Sequence, residues 1–259
     1  MTDRASLRRR TLVVTADDFG LSTGVNRGIL RAHLSGIVTS TSLMVNAPAV
    51  EAAAALACAN PSLAVGLHFV LTFGRPVAPP SEVSPLLQPD GRFFRLGSGV
   101  HEIAPASAVR VELDAQIARF RFLTGRTPTH IDGHHHVHTV GAVRGAVIDV
   151  ARELGVPVRA PDAATAGALA RAGVVSTGHF IDRFYGEANV DVASFVAILS
   201  SLPEGVSELM CHPAEPDPTL EALSSYASAR AFELETLTHP DVRRALEVQG
   251  IELTASRLR

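Results

Sequence analysis

Two stretches of the chain carry side chains that suit one kind of chemistry. Thr15-Ala16-Asp17-Asp18-Phe19-Gly20 sets two carboxylates side by side, and His130-Ile131-Asp132-Gly133-His134-His135-His136-Val137-His138 packs five of eleven histidines into nine residues. Imidazoles and a carboxylate are the usual ligands of a catalytic divalent ion, and a second adjacent carboxylate is a natural base for activating water. The two stretches read as halves of a metal-dependent hydrolase site.

Other candidates stand singly. His68 closes the run Leu63-Ala64-Val65-Gly66-Leu67, His212 follows Glu208-Leu209-Met210-Cys211, and Arg159 follows Val156-Pro157-Val158. Each also has a bland reading: His68 as an interior histidine, His212 as a strand-end residue before Pro213, Arg159 as a surface charge or carboxylate partner. Asp17-Asp18 could equally cap a helix. Adjacent side chains of an extended segment point to opposite faces, so both reach one site only if the chain bends, and Phe19-Gly20 offers the bend. Alternate residues His134, His136 and His138 share a face if extended, so a metal recruits one while the others bind substrate or orient ligands. His239-Pro240 reads as a helix start.

These residues must be positioned by the apolar runs before them. Asp17, His68, His134 and His212 each follow a strand-like segment, and neighbouring parallel strands would bring all four to one C-terminal rim, where α/β barrels and sheets place active sites. The remaining chain alternates accordingly. A helix capped by Ser22 or Thr23 carries Val25, Ile29, Leu30 and His33 and stops at Gly36, and a strand over Ile37–Val45 follows. Pro48 opens a helix to about Ala59. Residues 72–103, with five prolines and four glycines, form a long loop placed over the site.

Helices are expected near 107–123, 142–154, 163–172, 191–201, 226–237 and 240–249, with strands at 156–159, 179–181 and 251–253. The expected fold class is α/β: a distorted (β/α) TIM-like barrel of seven or eight strand-helix units in a single domain over 11–259, after a flexible N-terminus at 1–10. A chain of 259 residues suits one such barrel.

Composition excludes several classes. The net charge of -3 and pI near 6.4 give no basic field for nucleic acid. Beyond Arg8-Arg9-Arg10 no basic run appears, and no apolar stretch reaches a membrane span or signal-peptide core. Two cysteines, Cys58 and Cys211, indicate no disulfide framework and suit a cytoplasmic protein. With no Trp and two Tyr, a long stacking groove for polymeric glycan is not expected. Phe69, Phe73, Phe93 and Phe94 are candidate apolar contacts for a short sugar.

Thr15–Gly20, Val65-Gly66-Leu67-His68, His130–His138 and Glu208–Pro213, with Ser224-Ser225-Tyr226 and the closing Gly250-Ile251-Glu252-Leu253, resemble the YdjC/ChbG family of carbohydrate deacetylases from about residue 11 to the C-terminus. The resemblance implies a distorted α/β barrel that removes N-acetyl groups from amino sugars such as short chitin-derived oligosaccharides with one divalent metal. By that similarity Asp18, His68 and His134 are the metal ligands and Asp17 is the base. In the mechanism expected from these residues, a protonated His212 across the pocket supplies the departing amine with a proton. Two imidazoles and a carboxylate suit Zn²⁺, whereas family descriptions favour Mg²⁺.

A family branch tied to hopanoid lipid synthesis tends to have Asn where this chain has Asp132, which sets the lipid-linked substrate apart as an alternative. A non-catalytic sugar-binding protein is the other, and it would need no base at Asp17. The expected partner is a small N-acetylated sugar, with a homodimer compatible with the sequence.

Overall fold

The computed structural model describes residues 9–256. The expected flexible N-terminus therefore lies mostly outside the described residues, and Arg10 already opens the first strand. In chain order the elements are β1 (Arg10–Phe19), α1 (Thr23–Leu34), β2 (Ser40–Leu43), α2 (Val50–Ala59), β3 (Ala64–Phe69), α3 (Val100–Ile103), α4 (Ala106–Thr124), β4 (Ile131–Gly133) and α5 (Gly141–Leu154). Then follow α6 (Ala163–Arg171), β5 (His179–Ile181), α7 (Val192–Ser200), β6 (Gly205–Cys211), α8 (Pro218–Leu223), α9 (Ser228–Leu237), α10 (Pro240–Val248) and β7 (Ile251–Leu253).

All strand pairs are parallel, in the order β4-β3-β2-β1-β6-β5, and β7 pairs with the first residues of β1. Bridges from Ile131 to Val158 and from Val158 to Ser176 carry the pairing from β4 towards β5. The sheet thereby curls into the distorted barrel that the alternation of apolar runs implies. A parallel sheet is covered on both faces, which is why β3 is buried at every residue rather than at alternate ones. Among the described residues no helix is long and apolar enough to cross a membrane.

Three local expectations need correction. The strand expected at 156–159 is reduced to the bridging residue Val158, because Pro157 has no N–H to give to a ladder. The strand expected over 37–45 shortens to β2. Helix α2 starts at Val50 instead of Pro48, because the Ala47 N–H is bonded to the Met44 carbonyl and the Ala49 N–H to the Gly20 carbonyl, which commits that stretch to a turn. Helix α8, not anticipated, is capped by the Asp217 carboxylate on the Thr219 N–H, with Pro218 opening it.

The long loop at 72–103 is tied down from beneath. The buried Glu112 carboxylate on α4 accepts the N–H groups of Val77 and Ala78 at 3.0 Å each and the Gln116 amide at 2.7 Å. Gln116 in turn bonds both the N–H and the carbonyl of Val70. On the other side of the sheet, a Cβ at Gly66 would meet the ring of His130 at 2.5 Å. Gly66→Ala is therefore expected to cost about 1–3 kcal/mol by overpacking. Urea unfolding reads this directly, and an unchanged midpoint would contradict so close an approach.

Candidate active site

Four polar clusters meet at the C-terminal rim because β1, β3, β4 and β6 run parallel and end together. The two carboxylates of β1 reach one site through a bend in the strand itself. Asp18 has φ +68°, and the β1–β2 register shifts between Ala16 and Phe19. A left-handed residue inside a strand cancels the usual alternation, and Asp tolerates that conformation better than most. Gly20, at φ +98°, completes the turn with its N–H donated to the Asn26 side chain at 2.8 Å.

His68 on β3 stands in register with Asp132 on β4. Its Nδ1 lies 2.7 Å from Asp132 Oδ1, and its Nε2 faces Asp18 Oδ1 at 3.4 Å. His134, immediately after β4, brings Nδ1 to 3.0 Å from the same Asp18 oxygen. Burial opposes charge on His68, but Asp132 and Asp17 raise it to about 10. Burial also opposes ionisation of Asp18, yet Arg230 and His134 hold it well below the usual carboxylate range.

Asp18, His68 and His134 thus offer three ligand atoms within 4.8 Å of one another. Asp18 Oδ1 is buried without a hydrogen bond, while Oδ2 is taken by Arg230 at 2.6 Å. A buried acceptor left open between two imidazole nitrogens fits a divalent cation. Asp132 fixes the His68 ring so that Nε2 points inward, the usual arrangement behind a metal-binding imidazole. A second group, Asp17, His68 and Asp132, is equally compact but fits an ion poorly. His68 Nδ1 is already turned to Asp132, and both Asp17 oxygens are engaged by Arg159 at 2.6 and 2.8 Å.

Arg159 is fully buried and also reaches Asp132 at 2.9 Å and Glu208 at 3.0 Å. Burial opposes the charge on Asp17, and Arg159 brings its carboxyl below the usual range. Ser42 on β2 donates to Asp17 Oδ1 at 3.1 Å. Removing one partner of a buried charge network leaves the others uncompensated, so Arg159→Met is expected to cost about 3–5 kcal/mol in denaturant unfolding. A loss below 1 kcal/mol would mean the carboxylates find other partners.

The same carboxylates set an acid limit. Asp17 and Asp132 titrate lower in the folded protein than in the unfolded chain, where Asp lies near 3.8. Their stabilisation is complete above about pH 5 and is lost as the pH falls towards the folded values. A pH series of melting temperatures should decline from that point, and a flat profile down to about pH 3 would contradict the ion-pair account.

The histidine run does not continue as a strand. His135 and His136 have φ of 55° and 56°, so His134, His136 and His138 do not share the expected face. His135 bonds Thr72 at 3.0 Å and lies over His134. His136 lines the cavity and meets Phe180 edge-on at 5.6 Å. His138 is buried, and its Nε2 lies 3.1 Å from the Arg159 carbonyl oxygen, to which it donates. Burial pushes His138 down to about 3 and His135 to about 4.

His212 follows β6 and lines the same cavity, of about 990 Å³, with Asp17, Asp18, His68 and His134. Burial, then Arg230, lowers it to about 4. That environment opposes the protonated state expected of His212. Glu233 on α9 accepts the backbone N–H of His212 and the Tyr226 hydroxyl, and burial raises its carboxyl to about 7.

Of the expected apolar contacts, Phe73 and Phe93 line the cavity, while Phe69 is buried in the core. Arg230, Glu233 and Tyr185 were not singled out by sequence, and Tyr226 entered only as part of the family resemblance. The available signal for the first two was their place on α9 among the buried residues Ala229, Leu234 and Leu237, where surface charges do not belong.

Comparison with known proteins shows the family and the fold. A carbohydrate deacetylase of Geobacillus stearothermophilus is 41% identical over 249 residues, 96% of this chain and 97% of its own. A chitooligosaccharide deacetylase of Klebsiella pneumoniae strain 342 is 38% identical over 252 residues, covering 94% and 97% of the two chains. Among solved structures, an Enterococcus faecalis V583 protein provisionally described as a cellobiose-phosphate cleavage protein superposes with a TM-score of 0.89, 32% identity and coverage of 96% and 98%. A family 4 carbohydrate esterase from Streptomyces lividans, solved with acetate, shares the fold at TM-score 0.54 and 14% identity, with 94% and 91% covered. A family model described as YdjC-like protein matches residues 11–248, and with relatives of this identity and coverage the chain belongs to the YdjC-like family, alongside proteins named carbohydrate and chitooligosaccharide deacetylases.

Proposed function

We propose that the protein is a metal-dependent deacetylase of small N-acetylated amino sugars, with short N-acetylglucosamine oligosaccharides as the substrate class. The observation that carries this reading is the unpartnered Asp18 Oδ1 facing His68 Nε2 and His134 Nδ1, with a second carboxylate, Asp17, lining the same cavity. Asp18, His68 and His134 would hold one divalent ion, Zn²⁺ or Mg²⁺. When bound, the ion supplies Lewis acidity that polarises the acetamide carbonyl and favours charge on its oxygen.

Asp17 is the base. It is ionised at neutral pH, fixed by Arg159 and Ser42, and able to take the proton of an attacking water as the C–O bond forms. Arg159 lowers its basicity, which keeps it unprotonated before substrate arrives, and holds the carboxylate in place. The C–N bond then breaks as the nitrogen takes up the proton that Asp17 accepted from the water, and the amine leaves. His212 lines the cavity outside the ligand set, which supports a role in relaying that proton from Asp17 to the nitrogen.

The direct experiment follows acetate release from di-N-acetylchitobiose by protein stripped with chelator and reloaded with Zn²⁺ or Mg²⁺. Release that depends on metal supports the reading. Tight sugar binding with no acetate released under any metal would favour a binding protein instead.

A further inference from the structure

The chain has two tyrosines in its whole length, and both lie on the wall of the cavity that holds Asp17 and Asp18. The rings of Tyr185 and Tyr226 stack with centroids 4.1 Å apart and 15° between their planes. His212 meets both nearly edge-on, at 5.6 and 5.8 Å.

Tyr226 is held from three directions. Its hydroxyl donates to Glu233 at 2.6 Å and accepts the Gly186 N–H at 3.0 Å, and its carbonyl accepts from Arg230 Nε at 2.6 Å. Gly186 follows Tyr185 directly, so the bond that fixes the Tyr226 hydroxyl also ties down the loop bearing Tyr185. Glu233 and Arg230 of α9 thus hold Tyr226, and through the Gly186 N–H the loop of Tyr185, in place.

Tyr185 has one face covered by Tyr226, yet it is 46% exposed. The residue therefore keeps open surface while lining the cavity, with the face away from Tyr226 the one left for a ligand. Among the described residues, no hydrogen bond engages its hydroxyl. A large aromatic surface costs free energy when left to water, and this one is pinned in place beside a hydrolytic site. Aromatic faces carry negative charge density, which suits the weakly positive C–H face of a pyranose. Polar side chains of Asp182, Ser224 and Ser225 line the same cavity and suit the hydroxyls at a sugar's rim.

We propose that the exposed face of Tyr185, backed by Tyr226, is a stacking subsite for a pyranose ring of the substrate, next to the acetamide that reaches Asp17 and Asp18. The subsite recognises the sugar ring, while the carboxylates and imidazoles act on the acetyl group. It rests on the deacetylase reading above. One rigid platform in place of a row of aromatics matches a short saccharide rather than a polymer.

The test compares wild type, Tyr185→Ala and Tyr185→Phe, each metal-loaded, with di-N-acetylchitobiose. Tyr185→Ala is expected to raise KM about tenfold, the scale of one lost aromatic contact, with kcat within about threefold. Tyr185→Phe should bring KM back to within about twofold, because stacking needs the ring and not the hydroxyl. Inhibition by acetate, which has no ring to stack, should be equal in all three. An unchanged KM in Tyr185→Ala, a Phe variant as weak as the Ala variant, or a parallel loss of acetate inhibition would each overturn the subsite. Calorimetric binding of the disaccharide needs no turnover, so equal affinity in wild type and Tyr185→Ala also overturns it. Absence of acetate release by wild type would instead overturn the deacetylase reading.

Discussion

Asp17→Asn is expected to lower kcat for acetate release about 10²- to 10⁴-fold while leaving one metal ion per chain, because a general base contributes on that scale and is not itself a ligand. The substitution keeps the side chain's size and one acceptor oxygen, so one of the two bonds from Arg159 survives. Part of the charge pairing with Arg159 is lost, so a modest fall in melting temperature should accompany the loss of rate. The informative pair of measurements is steady-state kinetics with metal analysis on the same preparation. Loss of metal together with activity would move Asp17 into the ligand set, and near-normal kcat would remove it from catalysis.

His68→Ala should act in the opposite order. It deletes the nitrogen that faces Asp18 Oδ1 at 3.4 Å, so bound metal should drop from about one per chain to near zero, with activity lost as a consequence. It also strips Asp132 of a 2.7 Å partner in the buried network, and some stability will go with it. His134→Ala separates the two effects. Its side chain is 12% exposed and lies outside the Arg159 network, so it should lose metal with little change in melting temperature. Retention of stoichiometric metal by both variants would show that the ion, if any, binds elsewhere.

The rim of the barrel was legible in the sequence because each strand is a short apolar run that ends on a polar residue. Parallel pairing then converts four separated chain positions into one neighbourhood. Arg159 was legible as a candidate for the same reason, although its strand shrank to the single bridging residue Val158. What the sequence hid were conformations set by tertiary contacts. The left-handed turn at Asp18 is unfavourable locally and is held by the register shift against β2. The paired left-handed residues His135 and His136 likewise oppose the extended reading that alternation suggested. Arg230 and Glu233 carry no local motif, and their burial on α9 follows from tertiary packing. Tyr185 and Tyr226 are 41 positions apart, and no local pattern foretells that their rings stack.

The central claim is that one cation bridges β1, β3 and the end of β4. A crystal structure of the metal-loaded protein, with the ion located by its anomalous scattering, tests it most directly. The expected result is one ion ligated by Asp18 Oδ1, His68 Nε2 and His134 Nδ1, with Asp17 outside the coordination sphere. An ion held instead by Asp17, His68 and Asp132 in place of the Arg159 guanidinium, or a site that stays empty in metal excess, would contradict it.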